Sequence, residues 1–102
     1  MARVIFMGTP QFAVSTLSRL IADGHEIIVV TQPDRPAGRG RTLEMPPVKQ
    51  IALRHGLPVW QPESVNTPEF ASSLADMWPD VGVVAAFGQL LGRLMIQPKL
   101  MV

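Results

Sequence analysis

Three arginines, Arg35, Arg39 and Arg41, crowd one end of the segment Thr31-Gln32-Pro33-Asp34-Arg35-Pro36-Ala37-Gly38-Arg39-Gly40-Arg41. A guanidinium is a planar fork of donors that matches the oxygens of a phosphate. Two prolines and two glycines punctuate the segment, which argues against a helix or a central strand. It is therefore predicted to be a loop that displays its arginines. The loop follows Ile27 to Val30, an apolar run that reads as a buried strand. Open α/β sheets place their ligands at strand ends of this kind. The loop is also long for a strand-to-helix connection, and long loops in compact domains are often functional. Read by composition alone, the same segment would be a solvated surface loop.

Little else in the chain could do chemistry. The sequence has two histidines and no cysteine, which removes disulfide scaffolds and Cys-ligated metal sites. No metal-ligand cluster is present. His25 lies at the start of a strand, opposite the ligand face, and His55 reads as a cation in the last turn of a helix. Glu69 and Asp76 are expected to face solvent rather than to form an acid/base pair. No catalytic residue is assigned within these 102 residues. Gly8 and Pro10 read as a tight turn ahead of a helix; a dinucleotide fingerprint would need further glycines at set spacing.

These residues must be positioned by alternating strands and helices. Val4 to Met7 is a short strand closed by Gly8. Thr9 is expected to cap a helix from about Gln11 to Ala22, with Phe12, Leu17, Leu20 and Ile21 covering the sheet and Asp23-Gly24 stopping it. Glu26 to Val30 is the second strand, uninterrupted as parallel strands are. Pro46-Pro47 opens a helix over Val48 to His55, with Gly56 beyond its end. Leu57-Pro58-Val59-Trp60 is a third strand, placed at a sheet edge by its proline. Thr67 caps a helix reaching about Met77, with Phe70, Leu74 and Met77 inward. Val81 to Ala86 is a fourth, uncharged strand, expected to be the most buried. This order implies an open parallel sheet of about four strands with flanking helices.

Composition sets the outer bounds. One small domain fits 102 residues. Hydrophobic residues make up 47% and the formal net charge is +1, so anion binding must come from local clustering. From Asp34 to Lys49 four basic residues meet two acidic ones. No run approaches the ~20 apolar residues of a membrane span, and the N-terminus lacks the regions of a signal peptide. A cytoplasmic protein is expected.

Several of these strings resemble the methionyl-tRNA formyltransferase family. The resemblance lies in Phe6-Met7-Gly8-Thr9-Pro10-Gln11-Phe12-Ala13, in the run Thr31 to Gly40, in Pro47-Val48-Lys49, Gly56-Leu57-Pro58-Val59 and Gln61-Pro62-Glu63-Ser64, and in Val84-Ala85-Ala86-Phe87-Gly88-Gln89. It covers the chain up to about Leu91. The family transfers a formyl group from 10-formyltetrahydrofolate to the amino group of methionyl initiator tRNA in translation initiation. Its fold is a Rossmann-like catalytic domain followed by a β-barrel domain. Residues 1–102 would be the N-terminal part of that catalytic domain, without the barrel.

The resemblance implies that Arg39, with Arg35 and Arg41 behind it, contacts the acceptor end of the tRNA. It implies that Ala86, Phe87, Gly88, Gln89, Leu90 and Leu91 wall the folate pocket, with Phe87 standing where the family has Tyr. Gln11 replaces the usual Asp. The family's catalytic Asn-x-His and later Asp are not met by Val102. The chain alone is therefore expected to be inactive, and to leave its fourth strand as an exposed apolar edge prone to pairing with other chains. Two rival readings follow from the same residues. One is another folate-dependent formyltransferase, acting on a nucleotide sugar or glycinamide ribonucleotide. The other is a non-catalytic tRNA-binding fragment or a broken coding product.

Overall fold

Four apolar runs pair side by side because each is short, β-branched-rich and bounded by turn residues. The computed structural model describes residues 2–9, 11–37, 40 and 42–85. Its first strand, β1 (Arg3–Gly8), pairs in parallel with β2 (Glu26–Val30), Val4 opposite Ile27 and Met7 opposite Val30. On its other side β1 pairs in parallel with β6 (Val81–Ala85), Val4 opposite Val81 and Gly8 opposite Ala85. The short β5 (Val59–Trp60) flanks β2, giving the order β5-β2-β1-β6. This is the parallel sheet the sequence implies.

Strand alternation sends neighbouring side chains to opposite faces. Ile5, Met7, Ile28 and Val30 pack with Val65 and with Phe70 and Leu74 of α3 (Pro68–Asp76). Val4, Phe6, Ile27 and Val29 pack with Leu17 of α1 (Val14–Ala22) and with Val48 and Ala52 of α2 (Pro47–Arg54). The sheet is thus covered on both faces, as a Rossmann-like α/β domain requires. At the amino ends of the strands the main-chain N–H of Arg3 donates to Asp80 Oδ2 at 2.8 Å. The N–H of Asp80 donates back to the Arg3 carbonyl at 2.8 Å.

Several local expectations hold. Gly24 (φ +80) follows α1 and Gly56 (φ +68) follows α2; both take the left-handed turn that ends a helix. The Thr67 hydroxyl accepts from the Phe70 N–H at 3.1 Å, capping α3 with Pro68 in its first turn. β5 lies at a sheet edge, and the Pro58 carbonyl accepts from the Val29 N–H at 2.9 Å. His25 leads into β2, where its Nδ1 accepts from the Ala2 N–H at 3.2 Å. His55 is the exposed cap at the end of α2.

Four expectations are corrected. The described part of the arginine segment is not irregular: Arg35–Ala37 (β3) and Thr42–Glu44 (β4) pair as an antiparallel hairpin, Arg35 opposite Glu44 and Pro36 opposite Leu43. A two-stranded ribbon has outer edges, where a proline needs no partner for its missing N–H. The first helix does not start at Gln11. Residues Gln11–Ala13 make a 3₁₀ turn, whose tighter winding leaves Phe12 78% exposed. Thr9 is not the N-cap of α1; that residue is Ala13, without a side-chain cap. Finally, β6 is not the most buried strand. It has one strand neighbour among the described residues and is mostly half-buried, whereas Val4 to Gly8 of β1 are buried throughout.

Gly8 sits where β1, the 3₁₀ turn and β6 converge. A Cβ there would lie 2.8 Å from Ala13 Cβ, 2.8 Å from Phe6 Cε2 and 3.0 Å from the Ala85 carbonyl oxygen. These neighbours are protein atoms, so packing alone already calls for a glycine here. Gly8→Ala is expected to destabilise the fold by about 1–3 kcal/mol, as overpacking does. The midpoint of urea unfolding measures it, and an unshifted midpoint would remove the packing argument.

Candidate functional site

Parallel strands point their carboxyl ends to one side of the sheet, so the residues following β1 and β2 meet there. Thr9 follows β1, and Thr31 to Asp34 follow β2. Thr31 is fully buried, and its hydroxyl donates to Thr9 Oγ1 at 3.4 Å. The same Thr9 oxygen accepts from the Gln32 N–H at 3.3 Å. The Thr9 carbonyl accepts from the Val48 N–H of α2 at 3.4 Å. One threonine therefore joins the ends of two strands to the start of a helix.

Beyond this joint lies the hairpin. Arg35, at its base, is exposed and stands opposite Glu44. Arg39 and Arg41 fall outside the described residues, as do Ala86, Phe87, Gly88, Gln89, Leu90 and Leu91. Between the hairpin base and the strand ends is an open cleft of about 200 Å³, lined by residues that include Thr9, Gln32, Arg35, Glu44 and Met45. Its walls mix two charges of opposite sign, a hydroxyl and apolar proline and methionine surface.

Asp34, which sequence reading did not single out, is held at this end from two directions. Lys49 Nζ donates to both of its oxygens at 3.1 Å. Gln61 Nε2 donates to Oδ1 at 2.6 Å and also to the Gln32 carbonyl at 3.1 Å. The Lys49 and Asp34 side chains are only 17% and 27% exposed, so water competes weakly for the pair. The Gln61 hydrogen bond first, and then Lys49, hold the Asp34 carboxyl below its usual range. Lys49 is thus neutralised in place and is not a displayed cation. Asp34, Lys49 and Gln61 all fall within the strings that carry the family resemblance. Their convergence across 15 and 27 residues is visible only in the fold.

The sheet runs outward from β1 through β2 to β5, then returns across β1 to β6. The order therefore reverses between β1 and β6, which makes the gap beyond Gly8 and Ala85 a topological switch point, the favoured ligand crevice of such sheets. Among the described residues no three His, Asp or Glu side chains gather into a metal site. No helix among them is long and apolar enough to cross a membrane.

Comparison with known proteins bears directly on this arrangement. A family profile described as formyl transferase matches residues 2–100. A protein of Chloroflexus aggregans named methionyl-tRNA formyltransferase is 55% identical over 93% of this chain and 31% of its own length. Proteins of the same name from Thiobacillus denitrificans and Bacillus subtilis are 56% and 54% identical. They cover 96% and 97% of this chain and 32% of their own lengths. The chain thus spans about a third of the length of the curated relatives it matches.

The Asp34 cluster makes stability depend on pH. A carboxyl whose pKa is lowered in the folded state stabilises fully above its unfolded value, here 3.8, and ceases to as pH falls through the lower folded value. The parent should melt above Asp34→Asn by a constant margin at neutral and mildly acidic pH. That margin should close in stronger acid. Melting curves of both proteins from neutral to strongly acidic pH measure it; a margin that ignores pH would exclude the ionised carboxylate as its source.

Proposed function

Because this chain belongs to the formyl transferase family, we propose that it is the N-terminal part of the catalytic domain of a methionyl-tRNA formyltransferase. In this reading the protein moves a formyl group from 10-formyltetrahydrofolate to the amino group of methionyl initiator tRNA, in the cytoplasm. The observation that carries the reading is the identity of 54–56% to relatives of that name over nearly the whole chain. Relatives bearing that name favour tRNA over a nucleotide sugar or glycinamide ribonucleotide as acceptor.

The geometry gives the reading a physical form. Arg35 is exposed at the base of a hairpin that leaves the ligand side of the sheet. Arg39 and Arg41 lie between the two strands of that hairpin in sequence. Three guanidinium groups in that place would grip phosphates at the acceptor end of the tRNA. The folate donor would lie against Ala86 to Leu91. What supports this is that β6 delivers the chain at Ala85, beside Gly8 and at the switch point. The groups that polarise the formyl carbonyl and move its protons are expected from the remaining two thirds of the relatives' length.

Two measurements test the reading. Residues 1–100 can replace their counterpart in the Bacillus subtilis relative, and the chimera is then assayed for formylation of methionyl initiator tRNA. Activity is expected; a folded chimera that formylates only a small acceptor, or nothing, would overturn the assignment. In the active chimera, Arg35→Ala and Arg39→Ala should each weaken tRNA binding. Each should also flatten the dependence of log affinity on log salt by about one unit, the signature of one lost phosphate contact. Unchanged slopes would take these arginines out of the contact.

A further inference from the structure

Among the described residues the β3–β4 hairpin forms its own two-stranded sheet and shares no ladder with the four-stranded one. An isolated ribbon of this size is marginal in water. Nor does burial hold it: Arg35, Pro36, Thr42, Leu43 and Glu44 are all exposed. Its direction must therefore be set where its two legs join the domain.

Both legs are tied to consecutive residues of α2. The outgoing leg, Met45-Pro46, is held by Gln50 Nε2 donating to the Met45 carbonyl at 3.0 Å, with Pro46 buried. The incoming leg is held by Asp34, the residue before β3, through Lys49 of the same helix. Gln61, just beyond β5, braces Asp34 from a second direction and binds the Gln32 carbonyl behind it.

We propose that Asp34 is a positioning residue that fixes the angle at which the arginine hairpin leaves the sheet, through Lys49 and Gln61. Asp34 touches no ligand in this role. It aims groups that do, and an ion pair sheltered from water suits that task better than an exposed one. The inference rests on the tRNA reading only for what the hairpin binds; the aiming itself follows from the three hydrogen bonds on one carboxylate.

The sequence has no cysteine, so spin labels can be placed singly. Leu43→Cys reports on the hairpin and Leu53→Cys on α2; both parent side chains are exposed. Thr16→Cys, at an exposed position of α1, makes with Leu53→Cys a control pair within the helical layer. In the parent the 43–53 distance distribution should be narrow. Asp34→Asn should broaden it and leave the 16–53 control unchanged, a pattern that general loosening of the fold would not produce. Lys49→Met should do the same, and stands in should Asp34→Asn fail to fold. A 43–53 distribution that stays narrow in the folded variants overturns the proposal.

In the chimera, Asp34→Asn should also lower affinity for methionyl initiator tRNA about tenfold, the size of one charge-assisted hydrogen bond. Broadening without loss of affinity would overturn the link to recognition. If the unsubstituted chimera itself fails to bind tRNA, broadening of the 43–53 distances still upholds the positioning role, and only the tRNA reading falls.

Discussion

The structure depends on the double enclosure of β1. It is hydrogen-bonded to β2 on one side and β6 on the other, and its side chains enter both cores. A strand in that position cannot carry a charge or a proline inside it without leaving a polar group unpaired in the core. The run Val4 to Met7 meets the requirement, and Gly8 lets the chain turn away beneath Ala13 and Ala85 with no Cβ in the way. Because β1 is central, the order of the other strands follows from which side of it each takes. The reversal between β1 and β6 then creates the crevice beside Gly8.

The arginine hairpin obeys a different physics. It adds no strand to the sheet and its described side chains, from Arg35 and Pro36 to Thr42, Leu43 and Glu44, remain in water. An exposed guanidinium such as Arg35 has few protein contacts to shed before meeting an anion. The same exposure removes the apolar packing that orders α1 or α3. Side-chain hydrogen bonds at the roots of the hairpin take over that task, and the sheltered Asp34 carboxylate accepts most of them. The +1 formal charge of the chain conceals this arrangement, because Lys49 is matched locally while Arg35 is displayed.

The parts of this fold that were legible in the sequence are those set by local rules. Apolar runs bounded by glycine and proline gave the strands; Thr67-Pro68 gave a capped helix start; Gly24 and Gly56 gave helix ends. What failed were judgements that depend on neighbours distant in the chain. Val81 to Ala85 is as apolar as β1, yet flanks the described sheet, since no composition records which strand takes the centre. Thr9 has the right type and spacing for a helix cap, but its hydroxyl is claimed by Gln32 and Thr31 from the next strand. Phe12 follows helical spacing, and the 3₁₀ turn moves it off the buried face.

The sequence pointed to the segment of the candidate site but not to how its described residues are held. Three arginines after a buried strand made the segment a candidate for anion binding by residue type alone; Arg35, the one among the described residues, is exposed. Glycine and proline argued against a helix and a central strand; they did not argue against a ribbon, whose outer edges tolerate both. Asp34 stood in the middle of the same segment, where a lone acid among arginines reads as a charge to be screened. Its importance comes from Lys49 and Gln61, which approach from a helix and from beyond an edge strand. An acid that weakens the local positive charge by composition thus organises this end of the sheet by geometry, since it holds Lys49 in a sheltered ion pair while Arg35 stays exposed.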